Sequence, residues 1–328
     1  STVAANGNFI VNTLTGTRFT GRADPATGFL TGAITGGPPG SGGSFTAAVS
    51  SGASFSDGFL KNLSTRGQVG TGSNILIAGF VVAGDTPKEV LIRAIGPSLT
   101  AFGVTGALAD PQLQLFNGTS LVAENNNWGG VAAISTAANQ AGAFALSPTS
   151  LDSVIFAKLP PGSYTAQISG VGGGTGVALV ELYDTDSLQP FSAQKVTNVA
   201  TRGVVGSGQN QLIAGFVVSG NTSKKVLIRA VGPTLGAAPF NVAGVLADPV
   251  LRLVRNDGLV VRENDSWEMG NDAALIAEAS AKVGAFPLAA SGKDAAILIN
   301  LPPGSYSAQV TGPGTTTGVA LIEVYEVP

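Results

Sequence analysis

Residues 62–99 read NLSTRGQVGTGSNILIAGFVVAGDTPKEVLIRAIGPSL, and residues 198–235 read NVATRGVVGSGQNQLIAGFVVSGNTSKKVLIRAVGPTL. The two stretches are identical at 26 of 38 positions, at an offset of 136. Later landmarks recur in the same order. Ala109-Asp110-Pro111 answers to Ala247-Asp248-Pro249, and Glu124-Asn125 with Trp128 answers to Glu263-Asn264 with Trp267. Leu159-Pro160-Pro161-Gly162-Ser163-Tyr164 answers to Leu301-Pro302-Pro303-Gly304-Ser305-Tyr306, by which point the offset has grown to 142. Each copy is far longer than the roughly 20–50 residues of a solenoid repeat, so the chain carries a duplicated domain.

Within the first copy, seven short apolar or alternating runs stand between turn signals, at 74–83, 89–95, 112–116, 120–124, 153–159, 163–169 and 176–183. In the sixth, Tyr164, Ala166 and Ile168 take one face while Thr165, Gln167 and Ser169 take the other, the period of a half-buried strand. Alanine-rich stretches at 131–141 and 272–283 read as one short helix per copy. Many strands, frequent Gly and Pro, and almost no helix predict an all-β chain of two tandem antiparallel β-sandwiches, jelly-roll or immunoglobulin-like, at 62–187 and 198–328. A polar linker at 184–197 separates them. Residues 1–61 match neither copy. They carry alternating segments around Phe9, Val11, Phe19, Phe29 and Ile34, divided by glycine-rich turns, and read as a β-hairpin segment with no core of its own. Such a segment either caps the first sandwich or adds strands to a neighbouring molecule.

The second half of each copy resembles the bacterial pre-peptidase C-terminal domain. The residues that carry the resemblance are Asp110-Pro111-Gln112-Leu113-Gln114-Leu115-Phe116, the Glu124 to Trp128 turn and Leu159 to Ile168, with their counterparts from Asp248, Glu263 and Leu301. The resemblance implies a secreted sandwich module and brings no activity with it.

Composition narrows the function. Charged residues are only 11% of the chain, against a usual quarter or so. A surface this poor in charge suits a protein covered by its own copies. The net charge of −3 without a basic cluster argues against nucleic-acid binding. Apolar runs are strand-length, too short for a membrane span. The absence of Cys and His removes thiol nucleophiles, disulfides, histidine bases and Cys/His zinc sites. These features predict a non-enzymatic extracellular or cell-surface structural protein, a homopolymer subunit of a filament, pilus-like fibre or surface layer. The alternative is a glycan-binding or adhesin module whose candidate platforms are Trp128 and Trp267.

Two constellations stand out. Asp248, Glu263 and Asp265, with the weaker counterpart Asp110, Glu124 and Asn126, place oxygen ligands near a strand-to-loop corner and suit Ca²⁺. The competing reading is an Asx-type turn ahead of a tryptophan. Arg93 and Arg229 sit inside apolar strands, as do Glu181 and Glu323, and a charge in such a strand needs a partner. Arg93–Glu181 and Arg229–Glu323 are the expected pairs, with Arg66 and Arg202 as alternative cations.

Overall fold

The computed structural model describes the backbone of residues 2–3, 8–12, 18–24, 29–35, 43–48, 59–185 and 195–328, except 270 and 291. Side chains are described for 60, 62–185 and 198–328 with the same two exceptions. The chain forms two compact units, Ser1–Phe55 and Ser56–Pro328. The boundary expected at 61/62 falls inside a strand of the second unit, and most of the expected linker lies outside the described residues.

The first unit is a five-stranded antiparallel meander in chain order: β1 (Thr2–Val3), β2 (Asn8–Asn12), β3 (Arg18–Asp24), β4 (Phe29–Thr35) and β5 (Gly43–Ala48). Its register aligns Val3, Phe9, Gly21, Gly32 and Phe45 in one cross-strand row, and Val11, Phe19 and Ile34 in a second. Rows two residues apart share a face, so one face collects these residues. Phe29 pairs with Asp24 and Ala48 and falls on the opposite face, apart from the apolar set expected from the sequence.

In the second unit each copy contributes eight strands. The first gives β6 (Phe59–Val69), β7 (Leu76–Ala83), β8 (Lys88–Ile95), β9 (Pro111–Asn117), β10 (Ser120–Asn125), β11 (Ser153–Leu159), β12 (Gly162–Gly170) and β13 (Gly176–Asp184). The second gives β14 (Lys195–Val205), β15 (Leu212–Ser219), β16 (Lys224–Val231), β17 (Val250–Arg255), β18 (Val260–Asn264), β19 (Ala295–Leu301), β20 (Gly304–Thr311) and β21 (Gly318–Glu326). The helices are α1 (Ala132–Ala141), α2 (Pro233–Gly236) and α3 (Ala273–Lys282). All strand pairs are antiparallel, and the fold is an all-β sandwich.

The two copies share both sheets. One run of paired strands is β11-β8-β13-β6-β15-β20-β17-β18, and the other is β19-β16-β21-β14-β7-β12-β9-β10. Each run therefore takes four strands from each copy. A single apolar core extends from Leu60 to Val324 between them.

The joint is made by β6 and β14, the opening strand of each copy. Ile213, Ala214 and Gly215 of β15 pair with Arg66, Thr65 and Ser64 of β6, and Ile77, Ala78 and Gly79 of β7 pair with Arg202, Thr201 and Ala200 of β14. The registers are equivalent, so the copies are related by an approximate two-fold axis. Thr65 and Thr201 meet there, with their buried hydroxyl oxygens 2.8 Å apart. A methyl group added at Gly67 would lie 2.9 Å from Leu212 Cδ1, and one at Gly203 would lie 2.8 Å from Leu76 Cδ1. The repeated Thr-Arg-Gly triplet thus supplies one hydrogen-bonding partner and one space for the opposite leucine.

Outside the sandwich lies a third layer. Val90, Ile92 and Ala94 of β8 face the main core, while Leu91 on the opposite face packs with Trp128, Ala138, Ala141 and Tyr183 beneath α1. In the second copy Leu227, Ile276, Ala279 and Tyr325 repeat this beneath α3. Burial on both faces is why β8 and β16 read as continuous apolar runs.

Candidate functional site

The strands buried on both faces hold the charges expected from the sequence. Arg93 Nε donates to Glu181 Oε2 at 2.8 Å, and Arg93 Nη1 donates to the Phe144 carbonyl at 2.7 Å. The second copy repeats these contacts, Arg229 Nε to Glu323 Oε2 at 2.7 Å and Nη1 to the Phe286 carbonyl at 2.6 Å. Tyr183 and Tyr325 donate to the remaining carboxylate oxygen of each pair. The Phe144 and Phe286 rings cover the guanidinium groups at 4.3 and 4.5 Å. Burial first, and the adjacent glutamate second, push both tyrosine hydroxyls well above their usual ionisation range. Arg93 is 1% exposed and Arg229 0%. This depth and the repeated contacts give the network a packing role, although Arg93 also lines the small cavity beside α1.

A second pair of buried acids, Asp152 and Asp294, went unrecognised in the sequence. Asp152 accepts from the Gly96 amide at 2.8 Å and from the Ser98 and Ser150 hydroxyls. Asp294 accepts from the Gly232 amide at 2.8 Å and from the Thr234 hydroxyl. Each acid fastens the Gly-Pro-Ser/Thr-Leu turn to the start of the edge strand β11 or β19. Gly96 and Gly232 are required because a side chain there would collide with the carbonyl oxygens of Leu108 and Leu246. The signal available was repetition, since Asp152 and Asp294 are equivalent at the offset of 142.

Three of the six candidate calcium ligands hold side-chain partners. Asp248 accepts from Lys293 Nζ at 2.6 Å, Glu263 accepts from Arg252 Nε at 2.8 Å, and Asp265 is exposed. In the first copy Glu124 accepts from Gln114 at 3.2 Å and Asn126 is exposed. One carboxylate oxygen of Asp110 is buried without a hydrogen-bond partner. Among the described residues no three acidic, histidine or cysteine side chains come together as a metal site. The asparagines of the turn are hydrogen-bonded in both copies. Asn125 donates to the Asn127 carbonyl at 3.0 Å and accepts from the Val154 amide at 3.0 Å. Asn264 does the same with Ser266 at 3.1 Å and Ala296 at 2.9 Å.

Trp128 is 4% exposed and its indole N–H donates to the Ser147 carbonyl at 2.9 Å, so its ring is part of the packing beneath α1. Trp267 is half-buried and walls a cavity of about 320 Å³ beside α3, with Ile276, Ser280 and Leu288. The equivalent cavity beside α1 is about 80 Å³.

The remaining features are the outer edges of the sheets. β10 and β11 close one end of the wide sandwich, and β18 and β19 the other. β10 is bulged between Leu121 and Ala123, and β18 between Val260 and Arg262. β11 and β19 each run in unbroken register over seven pairs. Among the described residues no helix is long and apolar enough to cross a membrane.

No protein family matches the chain, and no curated protein matches it. Among solved structures, a DUF4785 family protein from Legionella pneumophila is 7% identical, with 81% of this chain and 83% of that one covered and a TM-score of 0.20. A structure of PNGF-II is 10% identical, with 98% and 83% covered and a TM-score of 0.20. Likenesses this weak carry no argument about fold or function.

Proposed function

We propose that this chain is a non-enzymatic extracellular structural subunit that assembles with copies of itself through β-strand contacts into a filament, fibre or surface layer. The observation that carries the reading is the set of open sheet edges on a body very poor in charge. Among the described residues, β5 at the end of the five-stranded unit pairs with β4 alone, and β11 and β19, the unbulged edges of the wide sandwich, each pair on one side only. An unpaired edge presents a row of amide and carbonyl groups to a further strand. The low charge supports the same reading, because little repulsion opposes close contact between copies. The buried charge networks and the two-fold joint serve rigidity, which suits a building block. Electron microscopy and light scattering of the purified full-length chain test the proposal. Ordered polymers are the expected result, and a strictly monomeric species at high concentration refutes it.

A further inference from the structure

We infer that β19 is the strand-accepting edge of the sandwich unit and that its partner is β5 of a second copy of the chain. The inference rests on the self-assembly reading above and names its joint. Of the four edge strands, three carry a device that discourages pairing. β10 is bulged and bears Glu124, and β18 is bulged and bears Arg262 and Glu263. Bulges and edge charges are the usual protections of an open sheet. β11 is regular but carries Lys158, which is exposed. β19 is equally regular, and its sequence, Ala-Ala-Ile-Leu-Ile-Asn-Leu, has no charge at all. The position equivalent to Lys158 is Asn300, as Leu159 is equivalent to Leu301. The same strand, built twice, is blunted once.

The direction of the free groups follows from the register. The Ala296 amide points away from β16, because Asn264 Oδ1 accepts from it. Residues along an antiparallel strand alternate between inward and outward hydrogen bonding. Leu298 and Asn300 therefore present their amides and carbonyls outward as well, while among the described residues β19 pairs with β16 alone. A strand laid there gains the pairs at Leu298 and Asn300 without displacing the Asn264 clamp. The donor must also be an open edge without charge. Among the described residues β5, Gly-Ser-Phe-Thr-Ala-Ala, meets both conditions over six residues, whereas β1, the other edge of its sheet, has two.

The test exchanges the edge devices between the copies in the full-length chain. Asn300→Lys gives β19 the lysine that β11 carries, and Lys158→Asn removes it from β11. Asn300 is exposed, so the monomer's melting temperature serves as the check that Asn300→Lys leaves the fold intact. The expected result is an unchanged melting temperature with a critical concentration raised at least about tenfold, equivalent to about 1.4 kcal/mol. Lys158→Asn should assemble at no higher concentration than the parent. In the parent polymer, hydrogen exchange should show the Leu298 and Asn300 amides protected relative to the monomer. If Asn300→Lys assembles like the parent and those amides exchange freely, the assignment of the edge is overturned while self-assembly stands. A parent chain that stays monomeric at all concentrations overturns the self-assembly reading itself, and the inference with it.

Discussion

Replacing the two threonines on the two-fold axis tests whether the copies are joined as the registers indicate. Thr65 and Thr201 are both 0% exposed, and their hydroxyls are each other's partners at 2.8 Å. Thr65→Val keeps the side chain's shape and removes one hydroxyl, which leaves the other buried without its partner. An orphaned buried group of this kind costs about 1–3 kcal/mol. Thr201→Val should cost the same, because the surroundings are equivalent. The double variant removes both hydroxyls together, so nothing is orphaned and its stability should return to within about 1 kcal/mol of the parent. The expected coupling between the sites is therefore large and favourable to the double variant, the reverse of simple additivity. Urea denaturation of the full-length chain, fitted for midpoint and slope, measures all three variants. Single variants that differ widely, or a double variant whose cost is the sum of the two, would refute the two-fold joint as described.

Two further outcomes follow from the buried networks. Arg229→Met should destabilise by about 3–5 kcal/mol, because Glu323 is left buried and unpaired. Adding Glu323→Leu should recover only part of that loss in the same denaturation assay, because the buried Tyr325 hydroxyl then loses its acceptor. Alkaline pH should weaken the fold through Tyr183 and Tyr325. Their folded-state ionisation lies above the unfolded value near 10, so their contribution is intact below pH 10 and is lost as pH rises further. The slope is about 1.4 kcal/mol per pH unit for each tyrosine. Melting temperatures recorded between about pH 9 and 12 should fall in the parent, and a flat profile would contradict the burial of these hydroxyls.

Much of this architecture was legible because strand signals are local. The seven strands expected in the first copy appear within two residues of their limits, since alternation and turn residues encode them directly. The strand that joins the copies was not legible. β6 places Ser64, Thr65, Arg66 and Gly67 in succession, which resembles turn punctuation, yet it is a central strand paired on both sides. Its threonine is explained by Thr201 and its glycine by Leu212 together with Leu76, and no local pattern records a partner more than 130 residues away. The Arg–Glu pairs were visible for the opposite reason. A charge in an apolar run is a local anomaly that asks for a partner, whereas Asp152 and Asp294 sit in polar loops where an acid is unremarked.

The same contrast bears on how such a body would assemble. At the joint the copies have stayed alike, with Thr65 and Thr201, Gly67 and Gly203, and Leu76 and Leu212 in equivalent places. A change on one side there alters what the other side packs against, so the two sides are constrained together. At the far edges each copy faces outward alone, and there they have diverged. Lys158 of β11 corresponds to Asn300 of β19, and Ala123 of β10 to Arg262 of β18. An approximately symmetric body with two equal ends would favour isologous contacts, which close into pairs. Unequal ends favour a heterologous contact, which repeats without closing unless its rotation completes a ring. The duplication supplies a double-width sandwich, and under the self-assembly proposed above the divergence of its edges would set the direction in which copies are added.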